Sequence, residues 1–433
     1  MLAAPALVPA ALLSGPGYRV IPEVRVRGYM ADFLVDTKFG PLRADSAELL
    51  SVRISEIPAM EALDHASKTD AFAHAIAERG RKTGTAILHV VEHPVDTITG
   101  LPAGVGHYIS HEWNLLTSRA QTLSDRSTKE FENKGDAFRA PDGPMTADRN
   151  EPPDDTNTPE KKSRAWYARA GSEAERETKR YFKYSNERRD MAKVLNVDPH
   201  STNPILDDKL DELAWAAVWG NFSAGAALGT VTAGTADVIT WTGRLNQYVL
   251  EKTPEDLREE NRTRLVKFCS DDFAVRQFLR RGGFTDTLRT ALAQSLDKLK
   301  PQSGCNELVE LAAATRGEVE ARYLTDALKL IQRHATPGDG KLVVIDAALA
   351  WQAADGKMLL PLPVDYLTWS HDIGTFFDQP VFRTANRTAF IGGDASPLAQ
   401  RKLTDRGWNI VLRAPYDGAP TYANSGEFET RQN

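Results

Sequence analysis

The string His89-Val90-Val91-Glu92-His93 holds the residue types that metal-assisted hydrolysis needs. Residues four apart lie on one face of a helix, so the His89 and His93 imidazoles could grip one zinc ion. Glu92, between them in sequence, has the chemistry of a general base acting on a metal-bound water. A second pair at the same spacing, His107 and His111, follows, with Glu112 directly after it. If the glycine-rich stretch between the pairs folds them together, they make one four-ligand site, structural rather than catalytic. The alternative is a place for all four histidines on the polar faces of short helices, with no metal.

Other residues offer weaker chemistry. Gly392-Gly393-Asp394-Ala395-Ser396 joins an expected strand to an expected helix, and such a turn can cradle an anion. The fuller dinucleotide and phosphate-loop patterns are absent, so Ser396 reads foremost as the cap of its own helix. A charge-free window, 214–236, carries the GxxxG string Gly225-Ala226-Ala227-Leu228-Gly229. It is long enough to span a bilayer but poor in Leu, Ile and Phe, so it reads as a small-residue core segment, with membrane association as the alternative. Cys269 and Cys305 are the two cysteines. They form a disulfide in an oxidising compartment or stay as two buried thiols.

The elements that must position these residues form an α+β, mostly helical chain. Residues 1–17 are apolar, with small residues near the end, like the core of a secretory signal that lacks its basic start. Residues 18–132 read as an antiparallel hairpin or meander followed by short helices, with Gly28 and Phe39-Gly40-Pro41 as turns. Residues 133–164, rich in Pro and Asp, read as a disordered linker. Residues 165–335 read as a helical domain. Leu206, Leu210, Leu213, Ala214 and Ala217 recur at helical spacing there, and Thr253-Pro254-Glu255-Asp256 is a helix start. Residues 336–415 read as a small βαβ unit with strands at 342–345, 357–364, 388–391 and 408–412. Ser396-Pro397 starts its helix and Gly407 ends it. Residues 416–433 read as a disordered tail. The net charge of −6, with both signs spread along 433 residues, gives no basic footprint and speaks against nucleic-acid binding.

The His89–His93 string resembles the signature of the inverted zincin peptidases. That resemblance implies His89 and His93 as zinc ligands, Glu92 as the base, and a downstream carboxylate as third ligand, with Glu173, Glu175 and Glu177 at a suitable remove. Here the surroundings depart from that family. Pro94 ends a helix just after His93, a Pro/Asp-rich stretch precedes the acids, and the large repeated α/β architecture has no counterpart. More broadly, Gly28-Tyr29-Met30, Phe39-Gly40, His93-Pro94-Val95-Asp96-Thr97 and Pro361-Leu362-Pro363-Val364-Asp365-Tyr366 are similar to a group of uncharacterised exported proteobacterial proteins. The similarity implies an envelope location and no activity. The leading reading is an exported envelope protein that binds or scaffolds a protein or lipid partner, with no catalytic activity evident. The alternatives are a metal-dependent hydrolase at His89, Glu92 and His93, and a membrane-associated protein.

Overall fold

The computed structural model describes residues 1–69, 184, 186–219, 248–280, 283–315, 317–384 and 386–423. Their buried apolar side chains gather mainly into two cores. One is built by the N-terminal sheet and residues 47–66 with residues 191–217, the other by residues 265–414 with Tyr29 and Met30.

The first sheet is antiparallel. It contains β1 (Leu2–Ala3), β2 (Ser14–Gly15), β3 (Tyr18–Val20), β4 (Glu23–Arg27), β5 (Met30–Thr37) and β6 (Leu42–Ala44), in the order β1-β4-β5-β3-β2, with β6 also paired to β5. β5 sets its register by alternation: Phe33, Val35 and Thr37 point in, while Leu34 and Asp36 point out. Arg27 pairs with Met30, so Gly28 and Tyr29 are the two central residues of the β4–β5 hairpin. Their φ values of 56° and 70° are those of a primed turn, whose twist suits the flanking strands.

Residues 1–17, expected as a signal-like segment, are integral to this sheet. Leu2 pairs with Val24, the short helix α1 (Ala4–Leu7) follows, and Ala4, Leu7, Val8 and Leu12 are buried in the first core. An apolar run of small and aliphatic residues satisfies a core as well as it satisfies a signal, which is why composition did not separate the two.

Ser46 then caps α2 (Ala47–Ser67), accepting from the Leu49 amide at 3.0 Å. α2 is buried on nearly every face and packs against α3 (Pro204–Trp219), where Leu206, Leu210, Leu213, Ala214 and Ala217 are buried at their expected spacing. The region expected as one helical domain is therefore divided, because α3 belongs to the first core and the later helices to the second.

The later helices are α4 (Pro254–Leu265), α5 (Asp272–Phe278), α6 (Asp286–Leu299), α7 (Cys305–Ala313) and α8 (Glu318–His334). Thr253 and Asp256 form the reciprocal capping box that starts α4. A disulfide joins Cys269, between α4 and α5, to Cys305, the first residue of α7. α8 packs on α6 and on a mixed sheet of β7 (Gly340–Ile345), β8 (Ala348–Ala353), β9 (Met358–Leu362), β11 (Arg387–Ile391) and β13 (Asn409–Val411), in the order β13-β11-β9-β8-β7. β7, β8 and β9 are antiparallel, whereas β9, β11 and β13 are parallel. The expected βαβ unit is β11, α10 (Pro397–Asp405) and β13. Ser396 caps α10 by accepting from Ala399 N at 3.2 Å, and Gly407 closes it at φ 76°.

Between β9 and α9 (His371–Phe377), β10 (Tyr366–Leu367) pairs in parallel with β12 (Asp394–Ala395). The strand backbones run so close there that a Cβ on Gly393 would stand 2.1 Å from the Asp365 carbonyl oxygen. Gly393 serves close packing at that point. The tail, expected to be disordered after Pro415, is ordered through Ala423, which is buried and donates its amide to Leu7 O at 3.0 Å.

Candidate ligand site at the junction of the two cores

Glu318, Arg322, Asp326, Lys329 and Arg333 recur every three or four residues, so they share one side of α8. Ala321, Leu324, Leu328 and Ile331 take the other side and bury it in the second core. The charged side meets α2. Arg322 donates through Nη1 to Glu48 Oε1 at 2.6 Å and through Nη2 to Glu318 Oε1 at 2.6 Å. Arg53 donates to the other Glu318 oxygen at 3.0 Å, to Glu56 Oε2 at 3.3 Å and to Thr202 Oγ1 at 2.7 Å. Asn203 Nδ2 bonds Glu56 Oε2 at 2.9 Å, and the Ser201 hydroxyl bonds the remaining Glu56 oxygen. Each guanidinium thus lies between carboxylates, the arrangement that makes a buried ion pair tolerable.

The electrostatics follow from burial and neighbours. Burial alone would raise the Glu318 carboxyl, but Arg322 and Arg53, helped by the Thr202 hydroxyl, hold it down at about 2. Burial and the neighbouring Glu48 push Asp326 well above the usual carboxylate range, against the pull of Lys329. Lys329 Nζ donates to Asp326 Oδ1 at 2.7 Å, and burial lowers its amine.

Asp365, 2% exposed, ties the two cores together at a second point. Its Oδ2 accepts from Ala31 N of β5 at 2.8 Å and from Ala47 N, the first residue of α2, at 3.1 Å. Its Oδ1 accepts from Tyr422 OH at 2.9 Å. Burial raises Asp365 to about 6 against the pull of these donors. The Tyr29 carbonyl at the hairpin tip accepts from the amides of Asp365 and Tyr366, both at 3.0 Å, so the β4–β5 hairpin is docked on the loop after β9.

Beside this network lies a cleft of about 450 Å³, lined on one side by Lys329, Gln332 and Arg333 of α8 and on the other by Pro415, Tyr416 and Asp417. Lys329 belongs to both the network and the cleft. Burial raises the Tyr416 phenol well above its ordinary value, which keeps it protonated and able to donate.

His89, Glu92, His93, His107 and His111 lie outside the described residues, as do Glu173, Glu175 and Glu177. Among the described residues no group of three or more His, Cys, Asp or Glu could hold a metal ion. Of the 214–236 window, Ala214–Trp219 ends α3, with Ala214, Ala216 and Ala217 in the first core; 220–236 lie outside the described residues. No helix among the described residues is long and apolar enough to cross a membrane. The sequence reading missed the junction. Its signal was present in the spacing of 318, 322, 326, 329 and 333, but a charged helical stripe ordinarily marks a solvated face. Only the matching charges on α2, distant in sequence, distinguish this one.

No protein-family model matches the chain, and neither does any curated protein sequence or solved structure.

Proposed function

We propose that this chain is an exported bacterial envelope protein that works by binding or scaffolding, with the junction of its two cores as the binding region. The observation that carries the proposal is the Cys269–Cys305 disulfide. Its Cα atoms are 4.8 Å apart, and both residues are buried in the second core. Structural disulfides persist in oxidising compartments and are rare where thiols are kept reduced. Residues 1–17 do not support export, since they furnish β1 and part of the first core. The cleft beside Lys329 supports the binding half of the reading through its volume of about 450 Å³, which lies within the range of small-ligand clefts. Fractionation of cells expressing the chain from its own locus tests the location. Release with the envelope contents is expected, and recovery with the cytoplasmic enzymes would overturn the proposal.

The spacing of His89, Glu92 and His93 favours a second reading, a zinc-dependent hydrolase. It predicts zinc in stoichiometric amount in the purified chain, lost on His89→Ala. Metal-free protein that His89→Ala leaves unaltered would dismiss it.

A further inference from the structure

We propose that residues 415–423 form a releasable strap, hinged after Ala414, that gates the cleft beside α8 by detaching while both cores stay folded. The inference deepens the reading of the core junction as the binding region and rests on it.

The segment crosses from one core to the other. Up to Ala414 the chain belongs to the second core. Arg413 N donates to Gly393 O and Ala414 N to Ile391 O, both at 2.9 Å, and Ala414 is buried. Beyond it, Tyr416 packs against the second core and Tyr422 against the first. Pro415, Tyr416 and Asp417 make one wall of the cleft, and Lys329, Gln332 and Arg333 of α8 make the other. Detachment of the segment therefore removes a wall.

Its attachment is sparse. Residues 415–423 join no helix or strand, and Pro415, Asp417 and Thr421 are exposed. Among the described residues their amides make two backbone bonds, Ala419 N to Tyr416 O at 3.1 Å within the segment and Ala423 N to Leu7 O at 3.0 Å beyond it. Pro415 and Pro420 have no N–H to give. The Tyr422 hydroxyl adds its bond to Asp365 Oδ1 at 2.9 Å, and His334 holds the Pro415 backbone at the hinge end. When Tyr422 and Ala423 leave, Asp365 keeps the amides of Ala31 and Ala47, and the Tyr29 carbonyl keeps those of Asp365 and Tyr366. The cores therefore stay joined. A segment held by so few buried contacts and backbone bonds opens far more often than the cores unfold.

Proteolysis of the full oxidised chain under native conditions tests this. Chymotrypsin cuts after tyrosine, and mass spectrometry follows cutting after Tyr416 and Tyr422 at urea concentrations below the unfolding transition. Local detachment exposes little surface, so these rates should stay nearly flat in urea, while cutting after the buried Tyr323 of α8 rises steeply. Tyr422→Phe removes the hydroxyl bonded to Asp365 and should speed cutting after Tyr416 about fivefold or more. Leu292→Ala, buried in α6, weakens the second core and should leave that rate unchanged. Lys329, 6% exposed on the facing wall, should take up an amine-reactive acetyl label faster in Tyr422→Phe by a similar factor, with exposed Lys300 unaltered. Strap cutting that climbs with urea in parallel with cutting after Tyr323 overturns the proposal. So do equal rates in wild type and Tyr422→Phe, acceleration by Leu292→Ala, and unchanged labelling of Lys329. These readouts need neither a ligand nor a cellular location, so the strap and the exported-binder reading can fail separately.

Discussion

Replacing Arg322 with Met isolates the contribution of the junction. The substitution keeps length and apolar stem but removes the donors that reach Glu48 at 2.6 Å and Glu318 at 2.6 and 2.8 Å. Two carboxylates then remain in a buried site with Arg53 as the nearest cation for Glu318. Two routes give the size of the loss. Breaking a buried ion pair by removing one partner costs about 3–5 kcal/mol. Independently, Glu318 held at about 2 in place of its ordinary 4.5 contributes on the order of 3 kcal/mol. The sign follows from the depressed value. The contribution is fully present above pH 4.5 and is lost as pH falls from 4.5 through about 2. In the variant the carboxyl loses its partner, so the gap between wild type and variant should be widest near neutrality and shrink below pH 4.5. Urea unfolding of both proteins from pH 3 to pH 7, followed by Trp fluorescence and by far-ultraviolet circular dichroism, measures the gap. A loss below about 1 kcal/mol at pH 7, or a gap that does not change with pH, would refute the assignment of Arg322 as the centre of a buried network.

Other perturbations probe neighbouring claims. Asp365 is raised from 3.8 to about 6, so its ionisation opposes folding increasingly as pH rises through that interval; Asp365→Asn should remove this part of the pH dependence, and parallel stability profiles for the two proteins would contradict it. Cys305→Ser opens a cross-link between residues 36 apart and should lower stability by about 2–4 kcal/mol, read as a fall in the thermal midpoint that reduction of the wild type reproduces. Deleting residues 1–13 strips β1 and the buried Leu7, Val8 and Leu12, and should cost more than about 4 kcal/mol; an unchanged midpoint would show that this segment is dispensable. Gly393→Ala drives a methyl group into the Asp365 carbonyl 2.1 Å away and should destabilise the β10–β12 pair by about 1–3 kcal/mol, measured by the same unfolding assay.

Local chemistry was the part of the fold most legible in the sequence. Thr253, Ser396 and Gly407 mark helix ends through interactions with residues nearby in sequence, and each does so in the structure. The apolar spacing of α3 and the strand–helix–strand order of β11, α10 and β13 were legible for the same reason. β8 was not. Ala348-Leu349-Ala350-Trp351-Gln352-Ala353 contains no β-branched residue, and its strand form comes from pairing on both sides, with β7 and β9. The ordered tail was missed because Tyr422 and Ala423 find their partners, Asp365 and Leu7, far back along the chain. The candidate site shares this property. Glu48 and Arg322 stand 274 positions apart, so neither announces the other. In the Gly392-Gly393 turn, a ligand candidate in the sequence, Gly393 is crowded by the Asp365 backbone and Gly392 stands against Pro363.

The central claim, that the chain works in an oxidising compartment outside the cytoplasm, is tested most directly by the state of Cys269 and Cys305 in the cell. Intact cells are quenched in acid and the denatured protein is treated with a mass-tagged maleimide, with and without prior reduction. The account predicts no tag without reductant and tags on both cysteines after it. Full tagging before reduction would mean that both thiols are free in the cell, and would contradict the account.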